Sequence, residues 1–315
     1  MDTHEKALAR ILFQLKIHTS DGQVFENLFT AIMARVYQDF LQVKPQGPIG
    51  DRKNDGYCKS KGIYFQVFAP ENLSLSESEA MKKVKADFAG LKQYWNSFCA
   101  VKQFFFVMND KYKGTFPTIE ADLAEIKSKH NLEEAGSFLA RHLEDALMGL
   151  KDDEIFSIVG FLPHPEKLQQ LDYSVMNQVI GHVMAHKQRL TSVEILSAPD
   201  FDDKIKFNGL GREVAAMLTN GSFHAGLVEG YFSLNSDFAK QEVRNLLNQM
   251  YQQAITKYSG VAGREVNKSD LVFFDLLASI VPVETQAAQD ASIVLMAFFF
   301  ESCDIFEDPK QKGMK

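Results

Sequence analysis

At 315 residues the chain is long for a single hydrophobic core, and ordinary domain sizes leave room for two domains of about 150 residues each. Its 45% hydrophobic and 24% charged residues exclude a disordered chain, and a net charge of -7 excludes a surface coated in base, so nucleic-acid contacts need a local patch or partners. Cys58, Cys99 and Cys303, far apart and without C-x-x-C spacing, supply neither a disulfide framework nor a zinc site.

The opening Met1-Asp2-Thr3-His4-Glu5-Lys6 lacks the basic and apolar segments of a signal peptide, so a cytoplasmic location is expected. Ala7 to Ile17 can form a short helix or strand, and Ser20-Asp21-Gly22 punctuates it. Phe25, Leu28, Phe29, Ile32, Met33, Val36, Tyr37, Phe40 and Leu41 recur at three- and four-residue steps. That spacing predicts an amphipathic helix ending before Pro45-Gln46-Gly47-Pro48. A strand pair follows, the first strand entered through Asp55-Gly56-Tyr57 and the second running from Ile63 to Ala69 across a Lys59-Ser60-Lys61-Gly62 turn.

The Ser/Glu-rich run Ser74 to Glu79 can cap a helix reaching about Phe98. Val101 to Met108, with Phe104, Phe105 and Phe106 in succession, suits a strand covered on both faces. A helix from Ile119 to His130, a short Gly136 to Leu139 segment and a helix from His142 to Leu150 complete the first unit. The charged Lys151-Asp152-Asp153-Glu154 and the stiff Phe161-Leu162-Pro163-His164-Pro165 place a boundary near residue 155. Beyond it the patterns are helical, over Asp172 to Lys187, Phe223 to Phe232, Asp237 to Tyr258 and Asp290 to Glu301, with no fixed-period repeat. The apolar run Ala291 to Phe300 is shorter than the roughly 20 residues of a bilayer-spanning helix. The fold class expected is α/β with a mixed sheet in residues 1–155, then an all-helical unit in residues 156–315 for partner binding or oligomerisation.

Among these elements, Gly50-Asp51-Arg52-Lys53-Asn54-Asp55-Gly56 and the strand behind it bear on chemistry. Magnesium and manganese prefer oxygen ligands and keep several waters, so one or two carboxylates suffice to hold them at a phosphodiester. Asp55, before a glycine at a strand entrance, can project from the end of a sheet. Gln66 can be the second ligand or orient a metal-bound water, and Glu26 on the preceding helix can add a third oxygen. Each has a plainer account: Asn-Asp before Gly is common turn chemistry, and Glu26 suits a first helical turn. Gln66 interrupts an apolar strand, and a buried amide must be satisfied somewhere.

As a constellation, Glu26, the Gly50-to-Gly56 turn and the Gln66 strand resemble the PD-(D/E)xK restriction-endonuclease superfamily, especially its Mrr-like branch, over residues 20 to 110. The resemblance implies a metal-dependent DNA endonuclease with Asp55 and Gln66 at a magnesium or manganese ion and Glu26 as an accessory acid. The family's lysine falls on Phe68, and Lys53 or Lys61 is expected to replace it. The alternative is a catalytically inactive scaffold that grips DNA or partner subunits.

Tyr64-Phe65-Gln66-Val67-Phe68-Ala69-Pro70-Glu71 and Phe298-Phe299-Phe300-Glu301-Ser302-Cys303-Asp304-Ile305-Phe306-Glu307 are similar to the effector components of bacterial ABC-three-component systems, implicated in defence against phage and plasmids. That resemblance implies an SMC- or ABC-type ATPase and a small middle component as partners, with the helical half binding them.

Lys82, Lys83, Lys85 and Lys92, with Tyr94 and Trp95 close behind, form a candidate DNA-binding cluster or a solvated helix face. His182 and His186 stand one helical turn apart without the remaining ligands of a zinc site, and Asn208-Gly209-Leu210-Gly211 lacks the context of a nucleotide loop. Phe273, Phe274, Leu276, Leu277, Ile280 and Val281 read as core; Phe298-Phe299-Phe300 is either core or a subunit interface, which leaves a homo-oligomer open.

Overall fold

The computed structural model describes residues 1–45, 50–70, 77–160, 162, 173–186, 201–235, 237–261, 266–302, 305–307 and 309. The Gln46-Gly47-Pro48 part of the first break, Ser74 to Ser76 of the expected cap, most of Phe161 to Pro165, and Cys303 and Asp304 lie outside them. The chain divides into two compact units, Lys16–Gly160 and Met1–Leu15 together with Phe161–Lys315.

Within Lys16–Gly160, helix α2 (Gly22–Val36) is shorter than its apolar spacing predicts. Tyr37 is already extended, and Phe40–Gln42 is a strand, β1. Phe40 and Leu41 fit a helical period, yet Phe40 is buried at 9% exposure while Leu41 is 50% exposed, the alternation of a strand. Pairing with β2 (Gly56–Cys58) places Phe40 opposite Cys58. The Phe40 ring rests beside the bare Cα of Gly56, where any Cβ would collide with it.

A five-stranded sheet then runs in the order β1-β2-β3-β4-β5, with β3 at Ile63–Phe68, β4 at Gln103–Met108 and β5 at Glu134–Phe138. The first three strands are antiparallel and the last three parallel, giving the mixed sheet expected of the first half. Helix α3 (Glu77–Trp95) and helix α4 (Pro117–His130) cover one face. There Val84, Phe88, Leu91, Leu123 and Ile126 close over Tyr64, Phe104, Phe106 and Met108. On the other face Phe29 of α2 meets Phe65 at 5.4 Å and Phe138 at 6.0 Å, and Phe65 stacks on Phe105 at 5.7 Å. The three successive phenylalanines of β4 therefore serve a strand covered on both sides. Helices α5 (Ala140–Met148) and α6 (Asp152–Val159) pack on α2, so the charged run Lys151 to Glu154 starts a helix. Its three acids sit in the first turn, where the helix dipole favours them.

The other unit is helical among its described residues. It comprises most of α1 (Thr3–Thr19), then α7 (Tyr173–Ala185), α8 (Phe201–Phe207), α9 (Arg212–Ser222), α10 (Ala225–Asn235), α11 (Asp237–Lys257), α12 (Lys268–Ile280) and α13 (Gln286–Glu301). Helix α13 is buried at every position from Asp290 to Phe300 and packs on α7, α9, α10 and α12. A helix apolar on all sides belongs inside a bundle, so Phe298, Phe299 and Phe300 are core side chains. Close approach to α9 requires Gly221, where a Cβ would lie 2.9 Å from the Ala297 methyl. Among the described residues no helix is long and apolar enough to cross a membrane.

The Asn208-to-Gly211 turn is tied to α12. Gly211 N donates to the Asp270 carboxylate at 2.7 Å, the Asn208 carbonyl accepts from the Ser269 hydroxyl at 2.5 Å, and Asn267 caps the helix. Burial pushes the Asp270 carboxyl up to about 6, Glu213 adds to the rise and the Gly211 N–H opposes it. A carboxyl raised in the folded state contributes stability below its unfolded value, near 3.9, that is lost as pH rises through about 6. Asp270→Asn should remove this loss, on the order of 2 kcal/mol. Thermal melts at pH 4.5 and 7.5 check it: the variant should gain on wild type at the higher pH, and parallel shifts would refute the assignment.

Candidate functional site

The Gly50-to-Asn54 turn holds its shape with little repetitive structure. Gly50, Arg52 and Lys53 take left-handed backbone angles at φ 68, 58 and 65, and the Asp51 carboxylate accepts from the Lys53 N–H at 2.7 Å. Two consecutive non-glycine residues in that region cost about 1–2 kcal/mol each. Asn54, fully buried, accepts from Gly56 N at 3.2 Å and so turns the chain into β2. The sheet register pairs Gly56 with Phe65, which carries Asp55 to the position opposite Gln66.

Asp55 and Gln66, at 7% and 4% exposure, are thus brought together where β2 begins beside the middle of β3. Asp55 Oδ2 accepts from the Val67 N–H at 2.6 Å, and Asp55 N donates to the Phe65 carbonyl at 3.0 Å. Burial pushes the Asp55 carboxyl up to about 7; Glu26 and Asp51 reinforce the rise, while the Val67 N–H and Lys83 oppose it. Glu26, half-buried on α2, is therefore within electrostatic reach of Asp55. Among the described residues Gln66 Nε2 makes only a 3.5 Å contact with the Val67 carbonyl, and its buried Oε1 accepts no hydrogen bond. An orphaned buried oxygen is costly, about 1–3 kcal/mol, and asks for a donor or a cation.

The structure distributes the lysines unevenly. Lys61 stands at the far end of β3, its ammonium 4.8 Å from the centre of the Tyr37 ring, and is not brought to Asp55 and Gln66. Lys53 reaches α3, where its Nζ lies 3.1 Å from Asp87 Oδ1. Lys83 reaches the same carboxylate at 3.5 Å and holds its ammonium 5.2 Å over the Phe68 ring. Asp87 is 2% exposed and keeps the Lys53 ammonium charged above its ordinary range. Of the remaining lysines of the α3 cluster, Lys82 is exposed, Lys85 bonds Asp122 and Glu125 of α4 at 2.9 Å each, and Lys92 meets His130 at 3.0 Å.

No motif marks Asp87. Its signal is positional: it lies between Val84, Phe88 and Leu91 on the buried side of α3, with Lys83 four residues before it. An acid on a core-facing stripe needs cationic partners.

The donor set bears on which metal could be held. Among the described residues no group of three or more His, Cys, Asp and Glu side chains could hold a metal ion. Asp55 and Gln66 offer two oxygens, one from a carboxylate and one without a partner among the described residues, which fits a hard cation that retains most of its water. His182 and His186 pack ring to ring at 4.9 Å, with His186 Nδ1 at 2.9 Å from the His182 carbonyl, an intrahelical arrangement.

Comparison with known proteins locates the second half. No curated protein and no solved structure matches the chain. Residues 174–307 match the family described as C-terminal domain 10 of the ABC-three component (ABC-3C) systems. The match begins in α7 and ends beyond α13, so it takes in the helices packed on the buried α13 and leaves out α1. Nothing in these comparisons names the PD-(D/E)xK superfamily. Residues 174–307 are a C-terminal domain of this kind, which makes the protein a component of an ABC-three-component system.

Proposed function

We propose that the protein is the effector of an ABC-three-component anti-phage or anti-plasmid system, and that Lys16–Gly160 is a metal-dependent DNA endonuclease released by an SMC- or ABC-type ATPase partner. The observation that carries the reading is the pairing of a buried carboxylate, Asp55, with the buried oxygen of Gln66, which has no hydrogen-bond partner among the described residues. Asp55 and Gln66 would hold a magnesium or manganese ion, which supplies polarisation of the phosphate and acidification of its bound water. Val67 N–H fixes one Asp55 oxygen, so the carboxylate is oriented before any ligand arrives. Glu26 adds negative charge behind it. Lys83 and Lys53, both held by Asp87, present cations to a phosphate on the side where Phe68 occupies the family's lysine position. The helical half binds the ATPase and middle component, which would keep the nuclease in check.

Phe68 favours a second reading, a scaffold that grips DNA or partner subunits without cutting. Calorimetric titration of manganese into wild type and Asp55→Asn, together with plasmid nicking by the purified protein and its partners, separates the two. The enzyme reading expects heat and nicking in wild type and neither in the variant. Equal nicking by Asp55→Ala and wild type would end it.

A further inference from the structure

One face of α3 continues away from the candidate site. Lys83, Asp87, Gly90 and Tyr94 follow at i, i+4, i+7 and i+11, a single stripe about 16 Å long. The Gly50-to-Asn54 turn lies along it. Lys53 pairs with Asp87, a Cβ on Gly90 would come within 3.2 Å of Lys53 Cγ, and the Arg52 guanidinium sits 4.8 Å from the centre of the Tyr94 ring. Beyond Tyr94 the stripe ends in Phe98, its ring 5.5 Å from Tyr94 and 6.0 Å from Trp95. Tyr94 is 38% exposed and Phe98 67% exposed, an unusual pair of adjacent open aromatics on this unit. Trp95 behind them is anchored on Tyr57, which stacks on Tyr64, whose hydroxyl donates to the Cys99 carbonyl.

Charge alone cannot hold a duplex here. Lys53 and Lys83 both pair with Asp87, Lys53 is also within electrostatic reach of Asp51 and Asp55, and the chain as a whole carries -7. Duplex binding depends on many uncompensated phosphate contacts. Exposed aromatics beside a few cations suit an unstacked base instead, because stacking is independent of sequence and is denied to a base inside a helix.

We propose that Tyr94, Phe98 and Arg52 form a stacking platform for single-stranded DNA, and that the strand leads along α3 past Lys53 and Lys83 to Asp55 and Gln66. This rests on the nuclease reading and names its substrate: a single strand or the frayed end of a duplex.

Trp95, the one tryptophan of the chain, provides the measurement. Full-length protein in EDTA is titrated with a mixed-sequence single-stranded oligodeoxynucleotide and with its blunt duplex, following tryptophan emission and fluorescence anisotropy of a labelled strand. The single strand should quench Trp95 and bind at least about tenfold more tightly than the duplex. Tyr94→Ala and Phe98→Ala should each weaken it roughly tenfold at unchanged melting temperature, and Tyr94→Phe should bind as wild type. Equal affinity for duplex, or alanine variants that bind normally, would overturn the platform. Asp55→Asn should retain strand binding in EDTA. If it does while no substrate is ever cut, the nuclease reading falls and the platform stands; Asp55-dependent cleavage confined to intact duplex would overturn the platform and leave the nuclease reading standing.

Discussion

Lys204→Met should lower the stability of the helical unit by about 2–5 kcal/mol, more than any other single change proposed for it. Lys204 is 1% exposed, and its ammonium donates to the Phe300 carbonyl at 2.6 Å and the Ile305 carbonyl at 2.8 Å while lying 4.4 Å over the Phe300 ring. The last four carbonyls of α13 have no partners within the helix. Lys204 therefore acts as a C-terminal cap supplied from a distant part of the chain, and its charge sits where the helix dipole favours a cation. Methionine keeps the length and apolar stem but removes two charge-assisted hydrogen bonds, worth about 1.5–3 kcal/mol apiece, and leaves the Phe300 carbonyl to the Ser302 N–H. Urea unfolding followed by circular dichroism measures the effect. A midpoint like that of wild type would mean that water or a shifted side chain reaches those carbonyls and that the cap contributes little.

That role could not be read from Phe201-Asp202-Asp203-Lys204-Ile205-Lys206-Phe207. Two lysines alternate there, and only the arrival of carbonyls about a hundred positions later decides which one is buried. The order of strands and helices was more accessible because burial marks the sequence itself: near-continuous apolar runs in β3, β4 and α13, which are covered on all sides, and a spacing of three to four in α2 and α3. Where both periods fit, as at Tyr37, Phe40 and Leu41, tertiary packing chose, and the Phe40 ring beside Gly56 made a strand. At the candidate site, Asp55 and Gln66 were legible because a turn and a polar interruption mark them. Their cations were less so. Lys61 looks close in sequence, but it lies beyond the left-handed Gly62 and the start of β3, and the three extended steps from Ile63 to Gln66 alone span roughly 10 Å. Lys83 and Asp87 arrive from a helix that the strand motif does not contain.

The lysine assignment makes the second large prediction. Lys83→Met should slow metal-dependent cleavage by about 10²–10³-fold, the usual loss when one preorganised charge at a developing oxyanion is removed. Lys83 is the cation over Phe68, and it favours the charged Asp55 carboxylate against the effect of burial, so it lies on the side of the site where a phosphate would need neutralising. Lys53→Met should cost less, because Lys53 bonds the far oxygen of Asp87 and is more exposed than Lys83, which lies over Phe68. Lys61→Met should leave the rate within about threefold, since its ammonium is committed to the Tyr37 ring. Neither Lys83→Met nor Lys61→Met should alter manganese affinity, because the two oxygens belong to Asp55 and Gln66; a calorimetric titration beside the plasmid assay tests that. Asp87 remains paired with Lys53 in the Lys83 variant, so its buried charge is not stranded and the fold should hold. If Lys83→Met cleaves as wild type while Lys61→Met does not, the cation enters from the β2–β3 turn, and α3 serves the strand only as a track.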